Sequence, residues 1–180
     1  MRGTEVEAAI RAWAVERRLP EAHVARWLEL PASERTALLE LAQTLHLRTG
    51  QFVTIFTLLE EIGVRENQPI VEVLTRREVR NIFAANESAP GKARALLEVL
   101  RAIRFPQLHE TLAQINARIT ELRLPEGVRV VLPPNLSSDE VRVELTAHGG
   151  AELKRLVEAV TARSAELGRI ADLLGGADEV

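Results

Sequence analysis

The sequence predicts a mainly helical protein: a multi-helix bundle containing a helix-turn-helix-like unit, then a small two-stranded antiparallel β-ribbon and a C-terminal helix. Three observations carry this. Through about residue 124, apolar side chains recur every three or four positions, the helical period. Between Val128 and Leu145 the period drops to two, the period of half-buried strands. Aromatic residues make up only 3% of a chain that is 46% hydrophobic and has no tyrosine, so the core must be mostly Leu, Val, Ile and Ala. Such a composition favours helix packing over a β-sandwich.

The elements follow in order. Thr4 can cap a first helix running to about Arg18, with Glu5 and Glu7 in the first turn, where the helix dipole favours anions. Pro20 suits the start of a second helix, which ends at Pro31. Ser33 caps a third, from about Glu34 to Leu45. Ile55, Phe56, Leu58, Leu59 and Ile62 mark a fourth, ending near Gly63. Two short helices follow, Pro69 to Leu74 and Arg76 to Ala84. The loop Asn86 to Gly91 is the sharpest domain boundary, giving domains 1–86 and 87–180. Helices are expected from Lys92 to Arg104 and from Pro106 to Leu122, halted at Leu124-Pro125-Glu126-Gly127. Two alternating strands, Val128–Leu132 and Val141–Leu145, are joined by a wide loop, Pro133 to Asp139. Gly149-Gly150 opens a last helix reaching about Leu174, interrupted or weakened at Gly168, and the final five residues should fray.

Ile10 to Pro31 has the pattern of a helix-turn-helix, in which the second helix offers its outer face to a DNA groove. Ala14, Arg18, Leu19, Val24 and Trp27 occupy its template positions, with Arg18 at the turn where glycine is usual and Arg17 where an apolar residue is usual. Groove-facing candidates are Glu21, His23 and Arg26. A second match overlaps downstream at Leu41, Ala42, Leu45, His46, Leu47, Phe52 and Ile55, with His46 at the turn, where a left-handed backbone is cheapest for glycine. Its groove-facing candidates are Arg48, Thr49, Gln51 and Thr54. Either match can be the real one. Trp13 and Trp27 are spaced to face each other across the first two helices.

The net charge of −3 on its own argues against a nucleic-acid binder, but the distribution is uneven. Residues 1–50 balance at seven charges of each sign and residues 51–75 carry −3. Residues 76–104 hold seven basic residues against three acidic, and residues 105–180 hold eight against twelve. Arg76, Arg77 and Arg80 lie on one side of a short helix and can position phosphates. With no cysteine, disulfides, thiolate nucleophiles and Cys-ligated zinc are excluded. His23, His46, His109 and His148 lack metal-ligand spacing, and no zinc-protease, phosphate-loop, nucleophile-elbow or EF-hand motif occurs. The carboxylate pairs Glu60-Glu61 and Asp139-Glu140 have no companion base or nucleophile nearby in sequence. No enzyme activity and no metal is expected. The N-terminal stretch has no signal-peptide core and no apolar run approaches a membrane span, so the expectation is a cytoplasmic protein without membrane contact.

The string LPEAHVARWLELPASERTALLELA resembles the helix-turn-helix region of ParB-type chromosome-partitioning proteins, in which a helix of pattern L-S-x-x-x-V-x-x-L-L-x-L is followed by L-P-E-E and another helix. Pro20 stands at the Ser position and Leu30 to Glu34 at the segment that follows. APGKARALLEVLRAIRFPQL, ITELRLPEGVRVVLPPN and VRVELTAHGGAELKRLVEAV are similar to the C-terminal part of a bacterial branch of ParB-like proteins. The family's nucleotide-binding domain carries G-E-R-R-x-x-A. Here Glu16-Arg17-Arg18 precede Ala22, Val15 replaces the glycine, and no strands surround the string. The resemblance therefore implies a fragment or reduced relative that keeps the DNA-binding and C-terminal parts, with no cofactor. Its implied partner is double-stranded DNA. The competing expectation is a protein-interaction or homo-oligomerisation module without DNA contact, forming a homodimer through the C-terminal ribbon and helix, because an isolated ribbon has open edges and little stability of its own.

Overall fold

The computed structural model describes residues 3–174, apart from 134, 135, 137 and 139. It is mainly helical: ten helices and one two-stranded antiparallel sheet among the described residues. The chain divides into two compact units, Met1–Phe105 and Pro106–Val180. The boundary therefore falls at 105/106 and not at 86/87. The helix after the 86–91 loop buries Ala93, Leu96 and Leu100 in the core of the first unit, so it belongs there.

The first unit comprises α1 (Gly3–Arg17), α2 (Glu21–Glu29), α3 (Ala32–Thr44), α4 (Thr49–Glu66), α5 (Ile70–Leu74), α6 (Arg77–Ala84) and α7 (Ala89–Arg104). α4 is its axis, burying Phe52, Ile55, Phe56, Leu58, Leu59 and Ile62. Four of the chain's six aromatic side chains gather around its first half. Trp13 of α1 meets Trp27 of α2 edge-on at 5.7 Å between ring centroids, as the spacing predicts. Phe52 lies 4.8 Å from Trp13 and 4.6 Å from Trp27, within the range where tilted aromatic pairs add to area burial. The indole of Trp27 donates to the Arg35 carbonyl at 3.4 Å, which satisfies its one polar atom. Around the second half of α4, α7 runs alongside, with α5 and α6 completing the enclosure.

Several helix ends differ from expectation for identifiable reasons. α1 starts at Gly3, so Thr4 lies inside the helix. α3 starts at Ala32, preceded by Pro31 with no side-chain cap. α4 continues past Gly63 to Glu66, ending where Asn67 turns left-handed and the Gln68 N–H bonds back to the Gly63 carbonyl at 2.9 Å. A Cβ on Gly63 would stand 2.8 Å from the Gln68 carbonyl oxygen, so the glycine makes room for this stop and does not itself make it. α7 starts three residues early because Ser88 Oγ accepts from the Gly91 N–H at 3.3 Å and Pro90 fits the first turn.

The second unit comprises α8 (Pro106–Glu121), β1 (Val128–Val131), β2 (Arg142–Leu145), α9 (Gly150–Thr161) and α10 (Ser164–Leu174). The strands pair antiparallel with Val128 opposite Leu145 and Val131 opposite Arg142. Gly127, at φ +94, admits the chain into β1; a Cβ there would stand 2.6 Å from the Thr146 carbonyl oxygen. The single closing helix expected through Leu174 is two helices, broken at Ala162–Arg163 and not at Gly168. The break lets α9 insert Leu156 while α10 inserts Leu167 and Ile170, and Arg163 Nε donates to the Leu122 carbonyl at 3.2 Å. Part of the loop between the strands, including Asp139, and the final residues expected to fray lie outside the described residues.

Candidate nucleic-acid interface

Both helix-turn-helix matches fold as a helix, a left-handed turn and a second helix. Arg18 has φ +53 and His46 φ +49, the conformation for which the template expects glycine. Each turn closes with the same two bonds. The Leu19 N–H reaches the Ala14 carbonyl at 2.9 Å and the Arg18 N–H reaches Val15 at 3.2 Å. The Leu47 N–H reaches Ala42 at 3.0 Å and the His46 N–H reaches Gln43 at 3.2 Å. This is the Schellman arrangement, completed by a buried leucine after each turn. α1–α2 and α3–α4 are thus successive copies of one local geometry.

The two second helices differ in what they show to solvent. Every residue of α4 from Gln51 to Glu60 is buried or half-buried, so that stretch presents no open face to a groove. Three of its four candidate readers are also engaged. The Thr49 hydroxyl donates to the Arg17 carbonyl, Gln51 Oε1 accepts from the Arg48 N–H at 3.1 Å, and the Thr54 hydroxyl donates to the Gly50 carbonyl at 2.9 Å. α2 is open along Glu21, Ala22, Ala25 and Glu29, with His23 half-buried at its side. Arg26 is exposed but tethered: it pairs with Glu60 of α4, and its guanidinium sits 5.3 Å from the centre of the Phe56 ring.

The basic candidates separate in the same way. Arg76 pairs with Glu66 and donates to Gln68 at 2.9 Å, locking the start of α6 to the end of α4. Its hydrogen bond, followed by that of Arg65, holds the Glu66 carboxyl below its ordinary range. Arg77 and Arg80 are exposed on α6 and have no ion-pair partner among the described residues.

The fold also assembles a cluster that the linear sequence does not display. The Thr49–Arg17 hydrogen bond clips the start of α4 to the end of α1, bringing Arg48 into the neighbourhood of Arg17 and Arg18. Arg18 and Arg48 are exposed and have no ion-pair partner among the described residues, while Arg17 lies 3.5 Å from Glu16. Arg11 and Arg18 flank a depression of about 240 Å³ between α1 and α2, floored by Ala14, Leu19 and Val24. The N-terminus of the 18-residue α4 adds its partial positive charge to the same region. Sequence pattern alone does not single out Arg11 or Arg18 as contact residues. The signal for Arg18 was its place at the turn, since a left-handed residue after a helix projects outward.

No family model, curated protein or solved structure matches this chain. The ParB-type resemblance accordingly stands on its motifs alone. Among the described residues, no three His, Asp or Glu side chains are grouped to hold a metal ion. Glu60 and Glu61 are engaged by Arg26 and by Arg104, the latter at 2.8 Å. No helix of the described residues is long and apolar enough to cross a membrane.

Proposed function

We propose that this chain is a non-enzymatic, double-stranded-DNA-binding protein of ParB-like type. In this reading the α1–α2 unit sets α2 against a groove, Arg18 and Arg48 hold backbone phosphates beside it, and Arg77 and Arg80 make a second phosphate contact. The observation that carries the reading is the clip between Thr49 and Arg17, which sets the backbone of Arg48 beside that of Arg17 and Arg18, arginines of two consecutive helix-turn-helix units. Ala22 and Ala25 on the open face of α2 allow close approach to base edges, whereas Glu21 and Glu29 limit affinity for arbitrary phosphate. Arg26 and His23 sit beside that face; Arg26 reads bases only after releasing Glu60. Thr49, Gln51, Thr54 and Arg76 serve this interface by building the turn and bracing α6.

Fluorescence anisotropy with a labelled duplex, titrated at two salt concentrations, tests the reading. Binding should weaken with salt, and Arg18→Ala and Arg48→Ala should each lower the slope of log affinity against log salt by about 1. Arg94→Ala, on an exposed face of α7, should leave it unchanged. Absence of binding at low salt would reject DNA contact and leave the interaction-module reading in its place.

A further inference from the structure

We propose that a depression of about 510 Å³ between the start of α3, the end of α4 and the start of α5 binds a primary alkylammonium. Glu34 and Glu60 would hold the charge, and the apolar side chains around them the hydrocarbon stem. The inference is independent of DNA binding. It rests on a buried carboxylate with no cation beside it, a second carboxylate with a free oxygen, and the walls that surround both.

Glu34 is the one charged residue that is buried among those described, at 8% exposure. It is the third residue of α3, where a glutamate ordinarily reaches back to the N–H of the capping residue. That residue is Pro31, which has no N–H to offer. Oε2 instead accepts from the Ile70 N–H across a long 3.4 Å. Oε1 has no partner among the described residues, and Glu34 lines the depression. A buried carboxylate is costly unless a cation pairs with it. Arginines on neighbouring elements are committed elsewhere: Arg26 to Glu60, Arg35 to Glu7 and the Leu28 carbonyl, Arg76 to Glu66 and Gln68. The fold therefore buries a negative charge beside an opening and supplies no counter-charge of its own.

Glu60 supplies the second group. It gives Oε2 to Arg26, and its Oε1 has no partner among the described residues. Both carboxylates line the same depression, beside the last turns of α4, whose carbonyl end carries partial negative charge. Leu30, Val64, Pro69 and Ile70 add apolar walls.

These walls and the geometry of the free oxygens select the cation. A hydrated metal ion gains nothing from apolar walls, and two carboxylates do not make the oxygen shell that a divalent ion takes. A guanidinium binds best as a fork on both oxygens of one carboxylate, whereas Glu34 and Glu60 have one free oxygen each. A compact ammonium has three N–H donors, so it can take one oxygen from each glutamate and leave the third donor to water. The stem then runs over the apolar walls and covers Val64, which is otherwise 84% exposed. The end of a free aliphatic polyamine and the end of a lysine side chain present this same chemistry.

Nitrogen–proton correlation NMR of the full chain without DNA, at neutral pH and constant ionic strength, tests the site with n-pentylamine as the probe. The amides of Glu34, Gly63, Val64, Gln68 and Ile70 should shift together and saturate in the millimolar range. Pentanol, which matches the stem but carries no charge, should produce no saturating shift. Glu34→Gln keeps the size and one acceptor and should raise the dissociation constant about tenfold or more. Val64→Lys changes only the exposed rim, leaves the buried carboxylate in place, and should block the probe with its own tethered ammonium. Tryptophan fluorescence in urea checks that each variant is folded, and Val64→Lys decides the matter if Glu34→Gln is not. Tighter binding of diaminopentane than of Nα-acetyl-lysine methylamide would assign the site to a free polyamine, and the reverse to a partner's lysine. No saturating shift with pentylamine, equal shifts with pentanol, or folded variants that bind like the parent would each overturn the proposal.

Discussion

The two units of this chain use similar secondary structure to different ends. Among the described residues, the first buries 26 apolar side chains around α4. The second, from 75 residues, buries five among those described: Ile115, Leu122, Leu156, Leu167 and Ile170. Its remaining apolar groups, including the valines of the ribbon, are only partly covered. Charge divides them too: 15 basic against 14 acidic residues in the first unit, 8 against 12 in the second. The near-neutral first unit is a finished core with guanidiniums turned outward. The acidic second unit has a core too thin for a domain of its size and leaves strand edges open.

The largest expected effects separate the two cores. Both tryptophans lie in the first unit, so tryptophan fluorescence reports that unit alone, while far-UV circular dichroism reports both. Trp27→Ala removes a side chain with no exposed surface from the centre of the aromatic cluster and should cost about 3–5 kcal/mol, lowering the fluorescence midpoint in urea. Ile170→Ala should cost the second unit about 2–5 kcal/mol. With so few buried side chains, that is enough to unfold it, seen as lost helical signal with the fluorescence midpoint unmoved. Coincident shifts in both signals for either variant would mean that the units fold as one.

A smaller effect tests the turns that define the first unit. Left-handed backbone costs a residue with a Cβ about 1–2 kcal/mol, and part of the gain from glycine is lost to its greater freedom when unfolded. Arg18→Gly and His46→Gly are exposed positions at φ +53 and +49, and each should stabilise the first unit by about 0.5–1 kcal/mol. The two then diverge. Arg18→Gly should weaken DNA binding while it stabilises, whereas His46→Gly should stabilise and leave binding as it was. The same outcome for both would place Arg18 outside the interface.

How much of this was legible in the sequence depended on whether the signal was periodic or tertiary. Helix period gave the mainly α class, and the period-two stretch gave the register-bearing valines of both strands. The Ala14…Leu19 and Ala42…Leu47 pairings were visible as template matches, and the structure closes both by the same bonds. What sequence pattern could not supply was enclosure. Gln51 and Thr54 read as surface residues of a helix, but over that stretch α4 is at least half-buried at every position, and their polar atoms bond within its first turns. Arg76 read as part of a phosphate cluster alongside Arg77 and Arg80, yet Glu66, ten residues away, takes its guanidinium. Sequence places the boundary at 86/87 and the structure at 105/106, because a glycine- and proline-bearing loop marks a turn as readily as a domain edge. Only the burial of Leu96 and Leu100 shows which it is.

The smallest effect concerns that same brace. Glu66 accepts from Arg76 and Arg65, and these bonds hold its carboxyl below the ordinary value of 4.5. A carboxyl whose pKa is lower folded than unfolded stabilises the fold while ionised. The contribution is complete above about pH 5 and fades as the pH falls through the folded value. Glu66 is partly solvated, so the gain is at most a few tenths of a kcal/mol. Glu66→Gln keeps an acceptor but loses the charge. It should lower the fluorescence-detected midpoint slightly at pH 7, and the gap from the parent should close on acidification toward pH 3. The dichroism of the second unit should be unaffected at either pH, because Arg65, Glu66 and Arg76 all belong to the first. A gap that is constant with pH would assign the loss to packing of the side chain and not to its charge.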